Sequence, residues 1–89
     1  MNIYRISQNV NVGYDTYDSA IVVAKDEDAA RKIHPGGLIY SSSDSPWWEN
    51  KEYINITWCW KLEDVEVELV GTTDLYDNGE ILCASFNAG

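Results

Sequence analysis

The chain has 89 residues, with 15 acids against 6 Lys and Arg and a formal charge of −9. That length allows one domain, residues 1–89, and leaves no room for a second core. The acidic balance excludes a nucleic-acid or anionic-membrane binder, the composition excludes disorder, and no apolar run reaches the ~18 residues of a membrane-spanning helix.

Residues 3–8 predict a first strand, with Tyr4 and Ile6 on one face and Ile3, Arg5 and Ser7 on the other. Residues 9–18 are rich in Asn, Asp and Gly and predict a loop. Residues 19–24 are apolar on both faces, as in a central strand covered by a helix. Asp26 reads as an N-cap, with Glu27 and Asp28 in the first turn of a helix. Ala29, Ala30 and Ile33 make its apolar stripe, and Glu27–Arg31 and Asp28–Lys32 are i,i+4 pairs. His34-Pro35-Gly36-Gly37 stops it, so the helix spans about 27–33 and holds only by packing on the sheet.

Residues 38–40 predict a short strand and 41–45 a loop. Ser45-Pro46 reads as N-cap and first helical position, with a helical turn from Trp47. Residues 54–60 alternate like a strand, which would put Ile56, Trp58 and Trp60 on one face. The clearest strand is 65–69: Val65, Val67 and Leu69 point inward, Glu66 and Glu68 to water, and Gly71 ends it. Asp77-Asn78-Gly79 is a turn, 80–86 a last strand, and 87–89 a closing tail. The expected class is α+β: a small, mostly antiparallel sheet of four to five strands with one short helix packed on it.

Chemistry has little footing. Cys59 and Cys83 form no CxxC and sit in apolar runs, where a free thiol is usually an inert small hydrophobe. The one histidine is His34, and neither a Cys–His pair nor a zinc site is expected. Asp15, Asp18, Asp74, Asp77 and Glu80 match no calcium loop, and phosphate-loop, dinucleotide and serine-nucleophile motifs are missing. Asn55-Ile56-Thr57 fits a glycosylation sequon, but Met1-Asn2-Ile3-Tyr4-Arg5 lacks the layout of a secretion signal. Reduced thiols in a cytosol, no cofactor, no metal and no catalytic residue are the expectation. The four Trp, six Tyr and one Phe exceed what so small a core needs, which points to a homo-oligomer, most simply a dimer.

Two segments are richer than plain structure requires. Tyr14-Asp15-Thr16-Tyr17-Asp18-Ser19 offers rings that stack on a base and acids that bond to ribose hydroxyls or amines. Ser85-Phe86-Asn87-Ala88-Gly89 offers small residues, hydroxyl and amide. If 3–8, 19–24, 65–70 and 80–86 form one sheet, the two segments meet at one end of it. Tyr14, Tyr17 and Asp18 would then lie near Ser85 and Asn87. Turns capped by Asp, with Tyr17 and Phe86 in the core, are the plain structural alternative.

The Tyr-Asp-Thr-Tyr-Asp-Ser run leading into an apolar strand resembles a family of small bacteriophage and prophage proteins. So do Ala30-Arg31 with His34-Pro35, the Val65–Gly71 strand, and the Cys83-Ala84-Ser85-Phe86-Asn87-Ala88-Gly89 end. The likeness covers roughly half the chain and leaves residues 38–62 without a pattern. It implies viral origin and expression in the cytoplasm of a bacterial host, and it transfers no chemistry residue by residue. In that setting the expected role is counter-defence. The leading form is a non-enzymatic oligomeric sponge for a nucleotide-derived immune messenger, with Arg5, Arg31, Lys32, Ser85 and Asn87 converging on its phosphates. The alternative is an acidic inhibitor of a host defence protein, with Glu63, Asp64, Glu66 and Glu68 mimicking nucleic-acid charge.

Overall fold

The computed structural model describes residues 1–37, 47–48 and 57–87. Four strands and one helix follow in the order β1 (Asn2–Ser7), β2 (Thr16–Ala24), α1 (Glu27–Arg31), β3 (Glu66–Thr72) and β4 (Ile81–Asn87). A 3-10 turn at Leu62–Asp64 leads into β3. The strands form one sheet in the order β3-β1-β2-β4, and every neighbouring pair is antiparallel. This is the α+β class expected from the sequence. The expected strand at 38–40, the loop at 41–45 and the Ser45-Pro46 cap lie outside the described residues.

Alternation decides which face is covered. Tyr4 and Ile6 on β1, and Ala20, Val22 and Ala24 on β2, are buried. Ala30 of α1, Trp47, Trp58, Cys59 and Val65 close over them. The intervening residues Arg5, Cys83 and Ser85 are exposed on the other face, while Ile3 and Ile21 are half-buried there.

Helix α1 starts as its sequence says. The Asp26 carboxylate accepts the Ala29 N–H at 2.8 Å, satisfying one of the donors a helix start leaves open. It ends two residues earlier than the expected 33. Lys32 is the C-cap, and its carbonyl is taken by Trp47 Nε1–H at 2.7 Å. A side chain distant in sequence thus supplies the stop. The expected i,i+4 pairs give way to Arg31–Asp28 at i,i+3 and 3.9 Å, a contact too exposed to matter much. Arg31 Nε also donates to Val65 O at 3.4 Å, joining the helix to the start of β3.

Several expectations need correction. Strand β2 begins at Thr16 rather than 19, because Asp18 is a bulge that turns Tyr17 to pair with Phe86. Leu69 shares the face of its partner Tyr4 but is not enclosed; it is 60% exposed, since β3 is an edge strand and a bulge follows at Val70. The strand also runs past Gly71 to Thr72. Of the expected strand at 54–60, residues 54–56 lie outside the described residues, and 57–60 are not strand, with Trp58 and Cys59 both buried and Trp60 exposed. Trp47–Trp48 form a turn, and the residues on either side of them lie outside the described residues. The turn at 77–79 is as expected: Gly79 has φ +96°, a conformation open to glycine at no steric cost, and its N–H bonds Val23 O. Among the described residues no helix is long and apolar enough to cross a membrane.

The two thiols differ, against the expectation that both are enclosed: Cys59 is buried and Cys83 exposed. Burial, and then the negative Asp64, push the Cys59 thiol from an ordinary 9.0 up to about 12. Folding therefore favours the protonated thiol. Its contribution is intact below pH 9.0 and drains away as pH rises toward about 12, where the unfolded chain alone has lost the proton. Labelling of native protein with a chromogenic disulfide at mildly alkaline pH should release one equivalent quickly, from Cys83. The Cys83→Ser variant should release none until denaturant is added; rapid labelling of that variant would contradict the assignment.

Candidate functional site

One end of the sheet gathers the polar and aromatic groups. The loop before β2 is closed onto the end of β4. Asp15 N–H donates to Asn87 O, and Asn87 Nδ2 lies 3.4 Å from Gly13 O. Thr16 Oγ1–H donates to Gly13 O at 2.6 Å. Asp15 holds φ +60°, a left-handed conformation that Asp tolerates better than most side chains. The chain can therefore reverse at 14–15 and present Tyr14, which is 78% exposed.

Beneath this loop Tyr17 stacks on Phe86, with centroids 4.7 Å apart and a 47° tilt. Its other side meets the edge of His34 at 6.1 Å. His34 is itself buried, with Trp47 and Trp58 rings at 6.1 and 6.4 Å. Its Nδ1 accepts the Gly36 N–H at 2.8 Å, so the neutral ring carries its hydrogen on Nε2, facing Thr57 Oγ1 at 3.5 Å. The imidazole is a hub of the aromatic core, and its burial suits packing better than proton exchange with a substrate.

Gln8 anchors the whole end. Its Nε2 donates to Asn11 O at 2.7 Å and Tyr17 O at 2.8 Å. Its Oε1 accepts from Val10 N at 3.0 Å and Asn11 N at 2.8 Å. The Gln8 amide N–H also bonds Asp18 O, bracing the bulge. Gln8, Thr16, His34 and Thr57 are the parts that sequence reasoning did not assign. A signal existed for Gln8: it follows Tyr4 and Ile6 at the same two-residue spacing, on the buried face.

Tyr17 and Asp18 of β2 and Ser85 and Asn87 of β4 thus lie at one sheet end, with Tyr14 in the adjoining loop; Ser85 points to the face opposite Tyr17 and Phe86. Asp18 and Ser85 are exposed, Tyr17 and Asn87 partly buried, and Phe86 is 45% exposed. The expected cations do not join them. Arg5 lies on the face opposite α1, paired with Ile21 and Glu68. Arg31 lies on the helix side, held between Asp28 and Val65 O. The expected convergence of the two guanidiniums is not what the fold gives. The end can offer ring faces, hydroxyls, an amide and a carboxylate, without a guanidinium from these two residues.

No protein-family model, curated protein or solved structure matches the chain.

Proposed function

We propose that the chain is a non-enzymatic counter-defence protein of phage origin. It acts in the bacterial host cytoplasm by sequestering a nucleotide-derived messenger at the β2–β4 end of the sheet. The observation that supports this reading is the closure of residues 13–17 onto 85–87, which leaves the Tyr14 and Phe86 rings exposed at the sheet end that also carries exposed Asp18. Exposed rings stack on a base, and the Asp18 carboxylate accepts from ribose hydroxyls or an exocyclic amine. Because Arg5 and Arg31 lie elsewhere, recognition runs through base and ribose more than through phosphate.

The test is thermal unfolding with cyclic dinucleotides and ADP-ribose derivatives. Free ligand 100-fold above its dissociation constant should stabilise the fold by ~2.7 kcal/mol. In a domain of this size that raises the melting temperature by about 10–20 °C. Asp18→Asn, exposed and without a packing role, should weaken the response while leaving the unliganded melting temperature in place. No shift with any of these ligands would remove the reading for that class.

A second reading is favoured by a different observation. Glu63, Glu66 and Glu68 are exposed along the 3-10 turn and β3, so a basic surface of a host defence protein could dock there electrostatically. That mode requires association that weakens steeply with salt. Charge-neutral Glu→Gln variants at the three positions would then lose counter-defence activity while ligand-induced shifts stayed absent.

A further inference from the structure

We propose that β4 pairs edge to edge with β4 of a second copy, antiparallel across a two-fold axis through Ser85, to give a continuous eight-stranded sheet. Among the described residues β4 is hydrogen-bonded on one side, to β2. The direction of its groups follows from its neighbours. Gln8 N–H donates to Asp18 O, so even-numbered β2 residues from the bulge onward face β1 and Ser19 and Ile21 face β4. Tyr17 N–H goes to Thr57 O, and Asn87 O accepts from Asp15 N–H. The N–H and C=O groups of Ala84 and Phe86 therefore point outward from the sheet, as a row that no strand among the described residues pairs with.

Charge selects the occupant. Ile81–Asn87 carries no charged residue in a chain of net charge −9. The flanking Glu80 carboxylate is folded back onto Asp77 N–H. The other edge, β3, presents exposed Glu66 and Glu68, so two copies meeting there would set carboxylate against carboxylate. A second copy can thus be added along β4 without like-charge repulsion, and β3 is protected by its acids.

The register is set by the outward groups. Ala84 of each copy faces Phe86 of the other, exchanging both hydrogen bonds at each of the two pairs. Ser85 then faces Ser85 in the close, non-hydrogen-bonded position between them. The two Phe86 rings, each 45% exposed in the single chain, become diagonal neighbours on the sheet face that carries Tyr17. The pairing does not depend on the ligand reading above: a chain that bound no nucleotide would still present this edge.

Sedimentation equilibrium of the full chain should give twice 10.1 kDa at submillimolar concentration. Ala84→Pro removes an outward N–H that β2 does not use, and Ala84→Lys places a charge on the edge. Both should sediment as monomers with an unchanged circular-dichroism spectrum, and the exposed lysine keeps the test valid if the proline distorts the strand. The register has its own readout. Facing Cα atoms in such a pair lie ~4.5 Å apart, within disulfide reach. In the C83S/S85C variant, diamide should take the two thiol protons and two electrons and leave a covalent dimer on a non-reducing gel. A 10.1 kDa species at millimolar concentration would overturn the pairing. So would dimers that survive both Ala84 variants, or a dimer whose C83S/S85C form does not cross-link.

Discussion

Trp47→Ala is expected to cost about 3–5 kcal/mol, enough to leave a domain of this size largely unfolded at ambient temperature. Trp47 is 1% exposed, packs against His34 and Trp48, and closes the covered face of the sheet. Its removal takes away apolar burial and opens a cavity beside the imidazole. It also strips the Lys32 carbonyl of the N–H that ends α1. Trp→Phe variants separate packing from hydrogen bonding. Trp58 is as deeply buried as Trp47, yet among the described residues its Nε1–H has no hydrogen-bond partner. Both phenylalanine variants lose a similar part of the ring. W47F also forfeits a made hydrogen bond, whereas W58F deletes a buried donor whose desolvation was uncompensated. Chemical denaturation should therefore place W47F about 1–3 kcal/mol below W58F. Equal midpoints would mean that the Trp47–Lys32 bond contributes nothing to holding the helix end.

The strands and helix were readable where alternation and capping agreed with burial. Tyr4 and Ile6 pointed inward as the two-residue spacing said, and Asp26 capped the helix as its neighbours implied. The errors have local causes. Leu69 alternates correctly with Val65 and Val67, but periodicity is blind to how far a five-residue helix can reach across an edge strand. The alternation misleads at 57–60, the described part of 54–60, because a large ring can fill a core from a turn or bend as well as from a strand, as Trp58 does. A bulge leaves no compositional mark when the extra residue is an exposed Asp, so the start of β2 was placed three residues late. The meeting of the Tyr14–Asp18 segment with β4 was legible, since both flank apolar strands that pair. The separation of Arg5 from Arg31 was implicit in the same alternation. With Tyr4 and Ile6 inward, Arg5 had to face away from the helix that carries Arg31.

Gln8→Glu is expected to cost about 3 kcal/mol and lower the melting temperature by about 10–20 °C. The two side chains have nearly the same shape, so packing is conserved and hydrogen bonding alone is read. The carboxylate keeps the acceptor for Val10 N and Asn11 N but loses both donors. It would then set its second oxygen against the carbonyls of Asn11 and Tyr17, where Gln8 Nε2 now donates at 2.7 and 2.8 Å. At a residue 5% exposed, water is poorly placed to repair that mismatch. The damage should be local before it is global, because the Tyr17 carbonyl belongs to the strand end that carries the candidate site. Amide exchange in residues 9–18 should accelerate under conditions where β1 and the core of β2 remain protected. Nucleotide-induced stabilisation, if the ligand reading holds, should fall with it. A Gln8→Glu protein with the wild-type melting temperature and unchanged exchange in residues 9–18 would show that the four bonds of this side chain neither stabilise the fold nor position the site.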